Sequence, residues 1–208
     1  DKLLQLNPYM ELATKLGKVL CQMVEGPLSS VEIGVFGEAS KFDSHPIASA
    51  SMVGLLCRHH AVPVNQINAL HLARRQGINV TKVSSADSKD YLSLVRITAQ
   101  SSEQTVILEG AIFDESRPRL VKINGYEIES PLEGHLLITK HADEPGVVGK
   151  IGEALGKEDI NISRMQVGVA EDTQLAIAIL DISGSLSSAA LENVSKIGAV
   201  EKVLQVLL

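Results

Sequence analysis

The stretch from His135 to Gly168, HLLITKHADEPGVVGKIGEALGKEDINISRMQVG, decides the fold of the second half of this chain. His135 to Thr139 is a short apolar run of strand length. From Pro145 to Gly156 the apolar positions Val147, Val148, Ile151, Ala154 and Leu155 fall on one side of a helix, with Pro145 suited to its first turn. Ile160 to Val169 reads as a second strand. Working outward, Thr173 to Ile182 is a strand, Ser185 to Ile197 a helix and Val200 to Leu207 a strand. The order is βαββαβ, which predicts a four-stranded antiparallel sheet with two helices on one face, the ferredoxin-like arrangement. Upstream, Ser130-Pro131-Leu132-Glu133-Gly134 has the composition of a linker, so the expected domains are residues 1–131 and 132–208.

The first domain reads as mixed α/β, making the whole chain α+β. Helical periodicity from Pro8 to Val24 places Pro8 in a first turn. A strand at Val31 to Gly37, a buried helix at Pro46 to Arg58, a helix capped by Asn65 and ending at Gly77, and a strand at Ile78 to Val83 follow. Tyr91 to Ala99 pairs with Thr105 to Phe113, and Leu120 to Ile123 meets Tyr126 to Ile128 across Asn124-Gly125. That dipeptide favours a type I′ turn, because both residues tolerate positive φ.

Composition narrows the function classes. A chain of 208 residues with 45% hydrophobic side chains can bury a core, and no apolar run reaches the ~20 residues of a membrane span. A net charge of −6 and 3% aromatic residues argue against a nucleic-acid partner. Two cysteines, Cys21 and Cys57, suit reduced thiols and a cytoplasmic location rather than a disulfide framework. The start on Asp1 suggests a cut from something longer. Catalytic motifs are not found: Gly146, Gly149 and Gly152 do not have the spacing of a dinucleotide turn. Neither Cys57 with His59 nor any histidine pair makes a nucleophile or zinc constellation. The pairs His59-His60 and Arg74-Arg75 read as solvated.

Chemistry concentrates where the strand from His135 meets the helix at Pro145. Unpaired backbone N–H groups and the helix dipole favour a carboxylate there, and Gly146 allows close approach. His141, Asp143 and Asn161 add imidazole, carboxylate and amide, the groups that complement a free amino acid if they converge. Each has a plainer reading: a solvated strand-end histidine, a helix-capping aspartate and a turn asparagine.

With Leu155-Gly156 and the run Ile160 to Gly168, the motif of His141, Asp143, Pro145, Gly146, Gly149 and Gly152 resembles an ACT domain of the D-3-phosphoglycerate dehydrogenase type. The resemblance implies an L-serine site between two ACT domains, made by His141, Asp143 and Asn161 with backbone contacts at Gly146 and Val147. It also implies a homodimer or tetramer. Val169 departs from the pattern, since many relatives have Arg there. The first domain, through Glu11 to Gly17, Val64 to Ala69, Arg75 to Ile78 and Pro118 to Gly125, resembles the intervening, allosteric substrate-binding domain of the long-form enzymes. Arg119 then falls on an anion-binding position, and Pro131 stands where a second basic residue is expected.

The reading is therefore an allosteric regulatory fragment without a catalytic residue, metal or cofactor of its own. Its partners are catalytic domains that use NAD. Two alternatives remain: part of an iron–sulfur L-serine dehydratase, although no Ser-rich motif is found, and a free-standing amino-acid-binding ACT protein.

Overall fold

A computed structural model of the chain describes residues 2–56, 63–88, 90–114, 116–170 and 173–208, and it divides into two compact units at Asn124/Gly125. Cys57, His59 and His60 lie outside the described residues.

The first unit begins with α1 (Lys2–Met23), longer than its periodicity predicts. The helix extends ahead of Pro8 because Leu, Lys and Gln on its N-terminal side are good helix formers, which offsets the one backbone donor that the proline removes. It continues through β1 (Leu28–Gly37), a short 3-10 turn, α2 (Ser44–Leu55), α3 (Ala69–Arg75) and β2 (Asn79–Ser85). Then come β3 (Ser93–Ser101), β4 (Thr105–Phe113) and β5 (Arg117–Ile123). Only β1 and β2 run parallel, as their helical crossover requires; β1, β3, β4 and β5 are antiparallel neighbours. Leu12, Leu16, Val19 and Leu20 of α1 are fully buried with Val31, Ile33, Ile97 and Leu108 of the sheet. Asn65 caps the turn that leads into α3, as expected: its Oδ1 accepts from the N–H groups of Ile67 and Asn68 and its carbonyl from Ala69 N, although the regular helix begins only at Ala69.

The second unit opens with β6 (Tyr126–Pro131), so Ser130 and Pro131 belong to a strand and Leu132 is buried at 1% exposure. The stretch expected to be a linker is thus ordered, and the units divide at the hairpin turn, where Asn124 (φ 48°) and Gly125 (φ 88°) both take the predicted positive φ. After it the chain forms β7 (His135–Ala142), α4 (Val147–Lys157), β8 (Ile162–Val169), β9 (Leu175–Ile182), α5 (Ser188–Ser195) and β10 (Val200–Leu207). The sheet order is β10-β7-β9-β8, all antiparallel, which is the ferredoxin-like topology read from the sequence. Val147, Ile151 and Leu155 of α4 and Ala190 and Val194 of α5 cover Leu137, Ala178, Leu180 and Ile182 of the sheet.

Within α4, Gly152 has open space where a Cβ would stand and a φ that any residue adopts. Gly152→Ala is expected to stabilise the unit by roughly 0.5–1 kcal/mol, because alanine loses less backbone entropy on forming a helix. Urea denaturation, with the midpoint moving up at an unchanged slope, checks this.

Candidate functional site

Along β7 the side chains alternate, so Leu137, Thr139 and His141 share the face covered by α4 and α5. His141 is 2% exposed, and its Nδ1 lies 2.9 Å from the carbonyl oxygen of Ala142. A carbonyl oxygen only accepts, so the bond assigns a hydrogen to Nδ1. Among the described residues neither the buried Nε2 nor the buried hydroxyl of Thr139 two residues earlier has a hydrogen-bond partner. A solvated strand-end histidine is therefore not what the fold contains. Leaving such groups unmatched costs ~1–3 kcal/mol each.

The loop after β7 is shaped by backbone contacts. Asp143 N donates to Gln174 O, Glu144 N to Ala142 O, and Gly146 takes φ +88° as the residue capping α4. The expected helix start at Pro145 therefore shifts to Val147, because a left-handed glycine intervenes. Among the described residues no side chain caps this N-terminus, so Asp143, exposed on the loop, does not serve as the helix cap. Val147, the first residue of α4, is buried at 2% exposure.

Asn161 is not brought to this cluster within one chain. Its N–H donates to Ser183 Oγ, and it precedes Ile162, which pairs with Ile182 and through it lies level with His135. His141 instead pairs with Ala176, level with Val169 at the other end of β8. At ~3.3 Å per residue the amide and the imidazole stand about 20 Å apart along the sheet. The convergence expected of His141, Asp143 and Asn161 fails within one chain for this topological reason: α4 carries the chain back to the start of the sheet before β8 begins. β8 is an edge strand, and Val167 and Val169 on it, with Val148 on α4, are exposed apolar side chains.

In the first unit Arg119 is half-buried on β5, with its guanidinium 5.6 Å from the centre of the Phe113 ring. Arg96 stacks in the same way on Phe36 at 5.0 Å and holds Glu109, a carboxylate only 9% exposed, at 2.5 Å. Arg74 and Arg75 lie exposed in the last turn of α3. Thr139, polar yet fully buried, is marked in the sequence only as a hydroxyl that follows the apolar run Leu136 to Ile138.

Two family models match. One, the D-3-phosphoglycerate dehydrogenase intervening domain, covers residues 5–124, and the other, the ACT domain, covers residues 135–199. D-3-phosphoglycerate dehydrogenase of Methanocaldococcus jannaschii is 33% identical over 98% of this chain and 38% of its own length. The Bacillus subtilis enzyme of that name is 28% identical over 98% of the chain and 39% of its own length. The Synechocystis one is 29% identical over 100% and 38%. The chain thus spans less than half the length of these relatives. It belongs to the family defined by the D-3-phosphoglycerate dehydrogenase intervening domain, joined here to an ACT domain.

Proposed function

We propose that the chain is the allosteric regulatory portion of a D-3-phosphoglycerate dehydrogenase and that it binds L-serine between two ACT domains for feedback inhibition. The observation that carries this reading is the placement of Asn161 at the start of the edge strand β8 and of His141, on β7, level with the other end of that strand. When β8 of two copies pairs antiparallel about a two-fold axis, the start of one strand meets the end of the other. Asn161 of a second copy then arrives beside His141 and Asp143, and Val167 and Val169 become covered. The ammonium pairs with Asp143, the carboxylate lies against the backbone of Gly146 and Val147 at the start of α4, and Asn161 closes the site. The product is a homodimer, or a tetramer with further contacts elsewhere in the parent chain.

Serine acts on activity only by binding one arrangement of the oligomer more tightly than the other, so a ligand held by both copies favours the arrangement in which the ACT domains are paired. The partners in the parent enzyme are its catalytic domains, which use NAD, and the setting is the cytoplasm. Arg119 is the candidate anion contact of the intervening domain. The relatives named above are dehydrogenases, so neither the dehydratase nor the free-standing reading is carried forward.

Isothermal calorimetry with L-serine tests the reading directly. Saturable binding is expected at or below millimolar concentration, together with a rise in dimer population by analytical ultracentrifugation. No heat at several millimolar serine would sink the proposal.

A further inference from the structure

Side chains alternate along β8, so Met165, Val167 and Val169 share the face covered by the helices and Gly168 lies on the opposite face. Gly168 is buried there because β6 crosses it. A Cβ at Gly168 would fall on the carbonyl oxygen of Glu127 and within 3.6 Å of Ile128 Cβ, so the two backbones touch with no side chain between them. β6 packs against β9 as well as β8, and Ile177 and Ile179 on that face of β9 are buried, as are Tyr126 and Ile128 of β6. The Tyr126 hydroxyl lies 3.5 Å from Thr173 Oγ1, just before β9. β6 is thus a strap across the face of the sheet that the helices leave open. The crossing falls at the end of β8 where the proposed site lies. Gly168 pairs with Ile177 and Ile177 with Lys140, so the contact is level with the residue before His141. Backbone pressed on backbone passes a shift on directly, because no rotamer is there to absorb it.

We infer that β6 is a regulatory strap of the ACT domain: when the ligand and a second copy order the edge strand β8, the docking of β6 tightens with it. β6 follows the Asn124-Gly125 turn at which the two units divide, so it is the strand through which the bound state leaves the domain along the chain. This rests on the serine reading above and adds to it the element that responds first. Linkage makes the effect mutual. Whatever factor serine adds to the docking of β6, the docking of β6 adds to the affinity for serine.

The test is hydrogen exchange of the wild type with and without saturating L-serine, read by mass spectrometry. With serine bound, the amides of residues 126–130 are expected to exchange about tenfold or more slowly, in step with residues 162–169 of β8. Residues 200–207 of β10, at the far edge of the sheet, serve as the internal reference and slow by less. Gly168→Ala sets a methyl group on the Glu127 carbonyl and lifts the strap. It is expected to weaken serine binding about fivefold or more by calorimetry and to abolish the serine-dependent slowing at residues 126–130, with an unchanged far-ultraviolet circular dichroism spectrum. Ile128→Ala loosens β6 without a backbone collision, is expected to weaken serine binding likewise, and takes the place of Gly168→Ala if that variant does not fold. If the wild type binds no serine, the functional reading fails and this inference with it. If the wild type binds serine but residues 126–130 slow no more than β10, or if loosening the strap leaves the serine affinity unchanged, the inference alone is overturned.

Discussion

Mixing an Asp143→Ala chain with an Asn161→Ala chain restores the serine binding that each variant lacks alone. The expectation follows from the ~20 Å between the two positions within one chain, set by the sheet register. A site shared by two copies takes Asp143 from one and Asn161 from the other. Each pure variant loses one contributor from both of its sites, and losing a hydrogen bond to a charged group costs ~1.5–3 kcal/mol, about tenfold to a hundredfold in affinity. In a mixed dimer one site carries both lesions and the other carries none. Random exchange of subunits therefore recovers about a quarter of the wild-type sites, at wild-type affinity. Equilibrium dialysis with labelled serine, before and after exchange, reads both the number and the affinity. Should the mixture bind no more than its two components, Asp143 and Asn161 do not share a site across copies.

How much of this was open to reading from the chain alone varies with the range of the interaction. The βαββαβ order was legible because each element carries its own period, and the Asn124-Gly125 turn was legible because positive φ at two successive residues is a local demand. Elements decided by neighbours were harder. Asn65 caps as its side chain suggests, with Asn68 Oδ1 accepting in return from Asn65 N, but the neighbouring contacts let the regular helix start only after both. Ser130 and Pro131 have linker composition, but Tyr126, Ile128 and Leu132 around them are buried and hold the segment as a strand. The candidate site divides along the same line. His141 and Asp143 flank one turn and could be placed together, whereas the distance to Asn161 depends on the direction of α4, which composition does not disclose.

Gly54→Val is expected to remove about 4 kcal/mol or more of stability, enough to abolish the folded first unit under ordinary conditions. A Cβ at Gly54 would fall on the carbonyl oxygen of Thr14 and within 2.8 Å of the Lys18 nitrogen, and one at Gly17 would fall on the carbonyl oxygen of Ser51 and within 2.8 Å of the Leu55 nitrogen. The two glycines face each other where α1 crosses α2, and every obstructing atom is backbone, so no rotamer change relieves the overlap. Moving α1 aside is no remedy, because its other surface sits on β4: the Leu12 methyl lies 2.6 Å from where a Cβ on Gly110 would stand. Separation of the helices would expose part of Leu12, Leu16 and Leu20, each now fully buried and worth ~1.5–3 kcal/mol. Gly110→Ala is the informative comparison. Its nearest obstacles are the ends of flexible leucine side chains, with the Arg119 carbonyl at 3.0 Å, so a loss nearer 1–3 kcal/mol is expected from overpacking. Urea unfolding followed by far-ultraviolet circular dichroism ranks the two. If Gly54→Val unfolds within about 1 kcal/mol of the parent, the backbones of α1 and α2 do not approach as closely as the paired glycines require.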